Sequence, residues 1–151
     1  MLTVLLAFLI PPPPDWEPPR AAGPGVFCGL SFTIDVEAGE AISQDWPGEM
    51  AMSDVYGTYR LETAQGPVVL REEGDRARPQ GRATPVPPQP GVPFSRYGDR
   101  LYSVSMPDSG NVTALSVRFS EGYPASNHLN LLSRVRRGRG PATVCLEPDN
   151  R

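Results

Sequence analysis

The chain of 151 residues carries 14 arginines, no lysine and 17 acids, giving a net charge of −3, with one histidine and two cysteines. Without lysine there is no P-loop, no pyridoxal Schiff base and no Ser-x-x-Lys acylation site, and a single histidine excludes a histidine-rich zinc centre. Nineteen prolines, 15 glycines and a hydrophobic share of 39% point to one domain of short strands and turns rather than long helices.

Met1–Ile10, MLTVLLAFLI, is apolar and uncharged. It is far shorter than the roughly 20 residues a membrane span needs and fits the apolar core of a secretory signal. No arginine precedes it, and Arg20 interrupts a small-residue cleavage pattern at Ala21-Ala22. Pro11–Pro24 holds seven prolines and reads as a polyproline II arm or linker. Residues 1–22 are therefore expected to be a signal-like segment with a Pro-rich arm, and 23–151 a single β-rich domain.

Cys28–Glu37, CGLSFTIDVE, alternates strictly. Cys28, Leu30, Phe32, Ile34 and Val36 share one parity, and Ser31, Thr33, Asp35 and Glu37 the other, which predicts one half-buried strand. Ala38-Gly39-Glu40 is a turn, Ala41–Gln44 a short strand and Asp45-Trp46-Pro47-Gly48 a turn. Glu49–Tyr56 has no readable period. Gly57–Thr63 alternates, Ala64–Pro67 breaks the chain, and Val68–Glu72 follows as a partner strand. Gly74–Pro93 lacks any pattern, holding six prolines and Arg76, Arg78 and Arg82. A patternless loop of that length in a small domain reads first as disordered or a plain surface excursion, and second as a binding loop. Arg100–Met106 and Val112–Phe119, separated by Pro107-Asp108-Ser109-Gly110-Asn111, predict a hairpin. In SNHLNLLSRVRRG, Leu129, Leu132 and Val135 recur at i, i+3 and i+6. This predicts a helix of about ten residues capped by Ser126 or Asn127, with Arg134, Arg136 and Arg137 in its last turn and Gly138 ending it. Ala142–Leu146 is the last strand. The expected fold is α+β but mainly β: a single antiparallel sheet of about six or seven strands with one C-terminal helix, or alternatively a β-sandwich.

Cys28 and Cys145 read as one disulfide joining the first and last strands, which suits an exported protein. His128 could serve as the base of a small hydrolase, but no G-x-S-x-G motif surrounds any serine, and at the predicted start of a helix it reads first as a partly exposed surface histidine. Paired carboxylates, Asp35 with Glu37 on a wet face and Glu72-Glu73-x-Asp75 in an acidic run, are the other route to hydrolysis; a solvated face is the better reading, because any β-protein has such neighbours. Arg134, Arg136, Arg137 and Arg139 form a basic run that could meet a glycan, an envelope protein or an anionic surface. Nucleic acid is disfavoured by the acidic balance and by the shortage of stacking aromatics near that run. Trp46, Tyr56 and Tyr59 could line a sugar site, but aromatics of this density more often belong to a small core or its rim. Asn111-Val112-Thr113 matches a glycosylation sequon inside a tight turn. Residues 1–60 carry eight acids against two arginines, and residues 61–151 nine acids against twelve; within one domain this implies complementary surfaces. No metal or cofactor is expected. The leading reading is a periplasmic or secreted, non-catalytic binding or structural module. The alternatives are the small hydrolase and a protease-inhibitor-like protein presenting the 74–93 loop.

Overall fold

The computed structural model describes residues 14–45, 54–87, 89 and 91–148. Period-two sequences pair there into two antiparallel sheets over one core. In chain order the strands are β1 (Arg20–Ala22), β2 (Gly25–Cys28), β3 (Phe32–Val36), β4 (Ala41–Gln44), β5 (Val55–Thr63), β6 (Gly66–Glu73), β7 (Thr84–Pro85), β8 (Ser95–Arg96), β9 (Leu101–Ser109), β10 (Val112–Phe119) and β11 (Val135–Arg137). Eight of them form one sheet in the order β1-β4-β5-β6-β10-β9-β8-β7, and three form another in the order β11-β3-β2. The fold is thus mainly β with one short C-terminal helix, and it carries more and shorter strands than the sequence alone suggests.

The long hairpins are where the alternation is strongest. Tyr59 faces Leu70 and Leu61 faces Val68 across β5 and β6. Val117 faces Tyr102 and Leu115 faces Val104 across β10 and β9. These side chains all fall on one buried face, because every second residue of a strand points the same way. The β9–β10 turn is tighter than expected: β9 runs on to Ser109, and Gly110 takes a positive φ of 64°. The three-stranded sheet covers the core through Phe27 and Phe32, whose rings meet Tyr59 of the large sheet edge-on at 5.2 and 5.5 Å, a favoured aromatic geometry.

Four expectations need correction. The Cys28–Glu37 strand is two strands, broken by a turn at 29–31 in which the Gly29 amide donates to the Phe32 carbonyl. Phe32, Ile34 and Val36 are buried as their parity implies, but Leu30 is 71% exposed. A Cβ on Gly29 would lie 2.2 Å from the Phe32 ring, so the turn depends on that glycine. The ten-residue helix is a 3₁₀ turn (Ala125–Asn127) and a helix α1 of only five residues (His128–Leu132), with no side-chain cap. The chain then switches to β11, where Val135 pairs with Ile34 and Arg137 with Phe32. The pull is tertiary: β3 offers an open edge and acidic partners for the arginines, and a β-branched valine suits a strand. Ala142–Leu146 is not a strand; it contributes one parallel bridge, Val26 to Cys145. The Pro-rich arm does not extend to residue 22, because β1 pairs with β4 (Ala21 opposite Ile42) and Ala21 is buried. Arg20–Ala22 therefore belongs to the sheet, and cleavage after Ala22 would remove an edge strand.

The 74–93 loop is also more structured than expected. Thr84–Pro85 pairs with Ser95–Arg96 to extend the large sheet, and Val92 is buried in the core. The apolar Met1–Ile10 and the residues from Trp46 to Ser53 lie outside the described residues. Among the described residues no helix is long and apolar enough to cross a membrane.

Candidate functional site

The basic run is distributed by the strand geometry of β11. Arg134 is nearly enclosed, with Nη1 at 2.8 Å from Glu40 and Nη2 at 3.2 Å from Glu37. Arg136 makes a two-pronged pair with Asp35, both contacts at 2.9 Å, the fork geometry natural to guanidinium and carboxylate. Arg139 is exposed. Arg137 points another way: its Nε and Nη2 donate to the Ser105 carbonyl at 3.1 and 2.9 Å. The acidic first half and basic second half of the chain thus meet as ion pairs, and Asp35 and Glu37 serve as partners of arginine rather than as a catalytic pair.

Arg137 brings together two stretches that are far apart in sequence. Opposite it stands Arg78, at the start of the 74–93 loop, which reaches Ser105 Oγ at 3.3 Å. The two arginines, with Ser95, Tyr97, Ser103 and Ser105, line a pocket of about 130 Å³. Strand register explains the hydroxyls. Ser95 lies opposite Ser103, Ser103 opposite Ser116, Ser116 opposite Arg71 and Arg71 opposite Thr58. One polar row therefore crosses five strands and ends at the pocket. Ser103 sits at its inner end, 3.4 Å from the Ser116 hydroxyl, which in turn donates to the buried Glu73 carboxyl. Burial pushes the Glu73 pKa up, while the Ser116 hydroxyl and the charges of Arg71, Arg118 and Arg78 pull it back. Asp75 stands 3.7 Å from Arg78 at the rim.

Other hollows lie among the described residues. A polar one of about 250 Å³ lies between Glu37, Glu40, Gln65, Tyr123 and Asn130, with Arg134 already neutralised by its acids. An apolar one of about 390 Å³ lies between Trp16, Pro19, Phe27, Ile42 and Pro148. Tyr59 is part of the core and Tyr56 is half-buried, bonded to Asp54; Trp46 is outside the described residues. Among the described residues no group of three or more His, Cys, Asp or Glu stands where it could hold a metal ion.

His128 is a core residue rather than a surface one. It is 1% exposed, stacked on Phe119 with ring centroids 4.0 Å apart, and its Nδ1 is 3.0 Å from the Tyr102 hydroxyl. Among the described residues no serine or carboxylate forms a hydrogen bond or ion pair with it. Burial holds its pKa below the ordinary histidine value, with the Tyr123 backbone partly opposing. The unfolded chain therefore takes up a proton near pH 6.5 that the folded chain refuses. Stability should fall as pH drops through that region and level off once the folded histidine also titrates. Glu73, raised in the fold, works with the opposite sign above the ordinary glutamate range. Urea melts between pH 7.5 and 5 in a Glu73→Gln background should show the decline, and His128→Gln in the same background should flatten it. An unchanged slope would place the titration elsewhere.

Buried Glu72 and Glu73 are the polar residues that sequence reasoning missed. They looked like a solvated acidic run, and only their position next to the alternating Val68 and Leu70 hinted otherwise. Compared with known proteins, the chain matches no protein-family model, no curated protein and no solved structure.

Proposed function

We propose that this chain is an exported, non-catalytic binding module that recognises an anionic group on its partner through the pocket between Arg78 and Arg137. The observation that carries the reading is the convergence of the 74–93 loop and the arginine-bearing β11 on a single polar pocket. Arg134 and Arg136 are committed to acids and leave Arg137 as the member of the basic run that faces this pocket. The side chains a hydrolase would need support the same view: His128 is packed among aromatics, Glu72 is bonded on both oxygens, and Asp35 and Glu37 pair with arginine. Export is supported by the signal-like first ten residues and by a disulfide, which persists in oxidising compartments.

The test is a crosslinked capture from the envelope and secreted fractions, comparing the wild-type protein with Arg78→Gln/Arg137→Gln, after circular dichroism has shown the variant folded. Loss of the captured partner in the variant is expected; equal capture would remove the pocket from the function. Intact mass of the same preparation should show a mature N-terminus upstream of Arg20, because β1 belongs to the fold. A full-length, reduced protein in the cytosol would overturn export.

A further inference from the structure

We propose that Glu73 gates anion binding at the Arg78/Arg137 pocket through the hydroxyls of Ser116 and Ser103, an inference that rests on the pocket reading above. An ionised Glu73 turns the Ser103 hydrogen inward; a neutral Glu73 turns it into the pocket. One hydroxyl stands between two neighbours. Ser116 Oγ lies within hydrogen-bond reach of Glu73 Oε1 and of Ser103 Oγ, the latter at 3.4 Å, yet a hydroxyl has a single hydrogen to give. While Glu73 is a carboxylate it can only accept, so the Ser116 hydrogen goes to it. Ser116 is then left to accept from Ser103, which has no other side-chain hydrogen-bond partner among the described residues. A proton taken from water by Glu73 reverses the row. Glu73 donates to Ser116, Ser116 donates to Ser103, and the Ser103 hydrogen is released toward the pocket it lines with Arg78 and Arg137. Glu73 and Ser116 are buried, so the direction of their hydrogens is set between themselves.

Charge acts in the same direction. An ionised Glu73 stands behind the pocket wall and repels an anion that enters, and a buried charge is little screened; the neutral form does not repel. Around the carboxyl, Arg71 of the same strand approaches to 3.9 Å, Arg118 acts from β10 and Arg78 from the loop. Just before β5, Asp54 is turned to the Arg76 amide and the Tyr56 hydroxyl, which hold its pKa down. Asp75 sits on Arg78 at the exposed rim, and Glu72 points to the opposite face, into the 29–31 turn. Burial outweighs the arginines and raises the Glu73 pKa above the ordinary glutamate value. Anion affinity therefore rises as pH falls through the Glu73 pKa, and by reciprocity a bound anion raises that pKa further.

The experiment is an NMR titration of the full, disulfide-bonded protein with sodium sulfate at constant ionic strength, at pH 7.5 and at pH 4.5. Sulfate is the probe because its own charge is fixed over that range, and at pH 4.5 a glutamate with a raised pKa is mostly protonated. The affinity read from the Ser103 and Ser105 amides is expected to be roughly fivefold or more tighter at the lower pH, the size of an ordinary coupling. Glu73→Gln, whose amide donates to Ser116 as the neutral acid does, should bind at pH 7.5 about as tightly as the wild type does at pH 4.5. The exposed rim acids are the same in both proteins, so the difference between them belongs to Glu73. Ser103→Ala keeps the effect of charge but loses the donor, and should retain only part of the wild-type factor. In the wild type, the Glu73 carboxyl carbon should titrate at a higher pH with sulfate than without it, a reading that needs no variant. Equal affinity at the two pH values, no saturation at pH 4.5, full pH dependence in Glu73→Gln, or an unaltered factor in Ser103→Ala would each overturn the proposal. Failure here with loss of partner capture in Arg78→Gln/Arg137→Gln would leave the pocket standing and remove only the switch. Coupled sulfate binding with unimpaired capture would keep the switch and remove the partner reading.

Discussion

Replacing Glu72 with alanine is expected to destabilise the protein by about 3–5 kcal/mol, the usual result of emptying a fully used buried acceptor. Glu72 is completely buried, and both of its oxygens are occupied twice. Oε1 accepts from the Leu30 amide at 3.1 Å and the Tyr59 hydroxyl at 2.5 Å; Oε2 accepts from the Ser31 amide and the Ser31 hydroxyl, each at 2.6 Å. Three of the four donors belong to the 29–31 turn between β2 and β3. One carboxyl from the large sheet therefore holds the turn of the small sheet in place and fixes the two layers against each other. Burial and the adjoining Glu72 push the Tyr59 phenol far up, so it remains a donor at any physiological pH. The neighbouring backbone is fitted to the pair: a Cβ on Gly57 would come within 2.5 Å of the Tyr59 hydroxyl and 2.8 Å of Glu72 Oε1.

Chemical denaturation separates the contributions. Tyr59→Phe removes one donor and leaves the other three, and should cost about 1 kcal/mol. Glu72→Gln keeps one accepting oxygen but turns an NH₂ toward donors, so it should fall between Tyr59→Phe and Glu72→Ala. Gly57→Ala should be more harmful than an ordinary strand substitution. If Glu72→Ala unfolded at the wild-type denaturant midpoint, the carboxyl would not be the tie between the sheets.

How much of this was legible depends on the range over which each signal acts. The alternation in 57–63, 68–72, 101–106 and 112–119 reports a local property, the pleat, and the strands formed where it was strongest. Leu30 kept the parity of its neighbours, so nothing local marked the turn beneath it; the turn exists because Glu72, 42 residues away, supplies its acceptor. The spacing of Leu129, Leu132 and Val135 suits a helix, and α1 follows it until Leu132. Beyond that, Arg134-Val135-Arg136 also alternates, and the edge of β3 with Asp35 decided between the two periods. The charge asymmetry of the two halves was readable as complementarity, although not which arginine met which acid. The pocket was the least legible feature. Arg78 and Arg137 are 59 positions apart in the chain, and the hydroxyl row exists only through the register of five strands. Each of the two stretches stood out as a possible binding element, yet no local pattern could show that they share one site.

Reduction of the disulfide should lower the melting temperature by on the order of 10–15 °C. Cys28 and Cys145 are joined with their Cα atoms 5.6 Å apart and 117 positions apart in sequence. Closing so long a loop is worth about 4–5 kcal/mol of unfolded-state chain entropy at most. The local consequence is more specific than the global one. The segment after β11 has little else to hold it: Leu146 donates its amide to the Val26 carbonyl at 2.7 Å and rests on Gly25, while Val144 is 84% exposed. In the reduced protein, or in Cys28→Ser/Cys145→Ser, the Leu146 amide should lose its hydrogen-exchange protection first. Val117 and Phe119, in the middle of the large sheet, should keep theirs until the whole domain opens. The serine double variant should also be indifferent to reductant, which separates the bond from any other effect of reducing conditions. The bond and Glu72 act on adjacent residues, Cys28 and the 29–31 turn, so their losses should not add: with the turn released, β2 is already loose and the disulfide has less order to preserve. A melting temperature unchanged by reduction would mean that the C-terminal segment and β2 are held by packing alone. A loss equal to the sum of the two single effects would mean that the turn and the bond stabilise the small sheet independently.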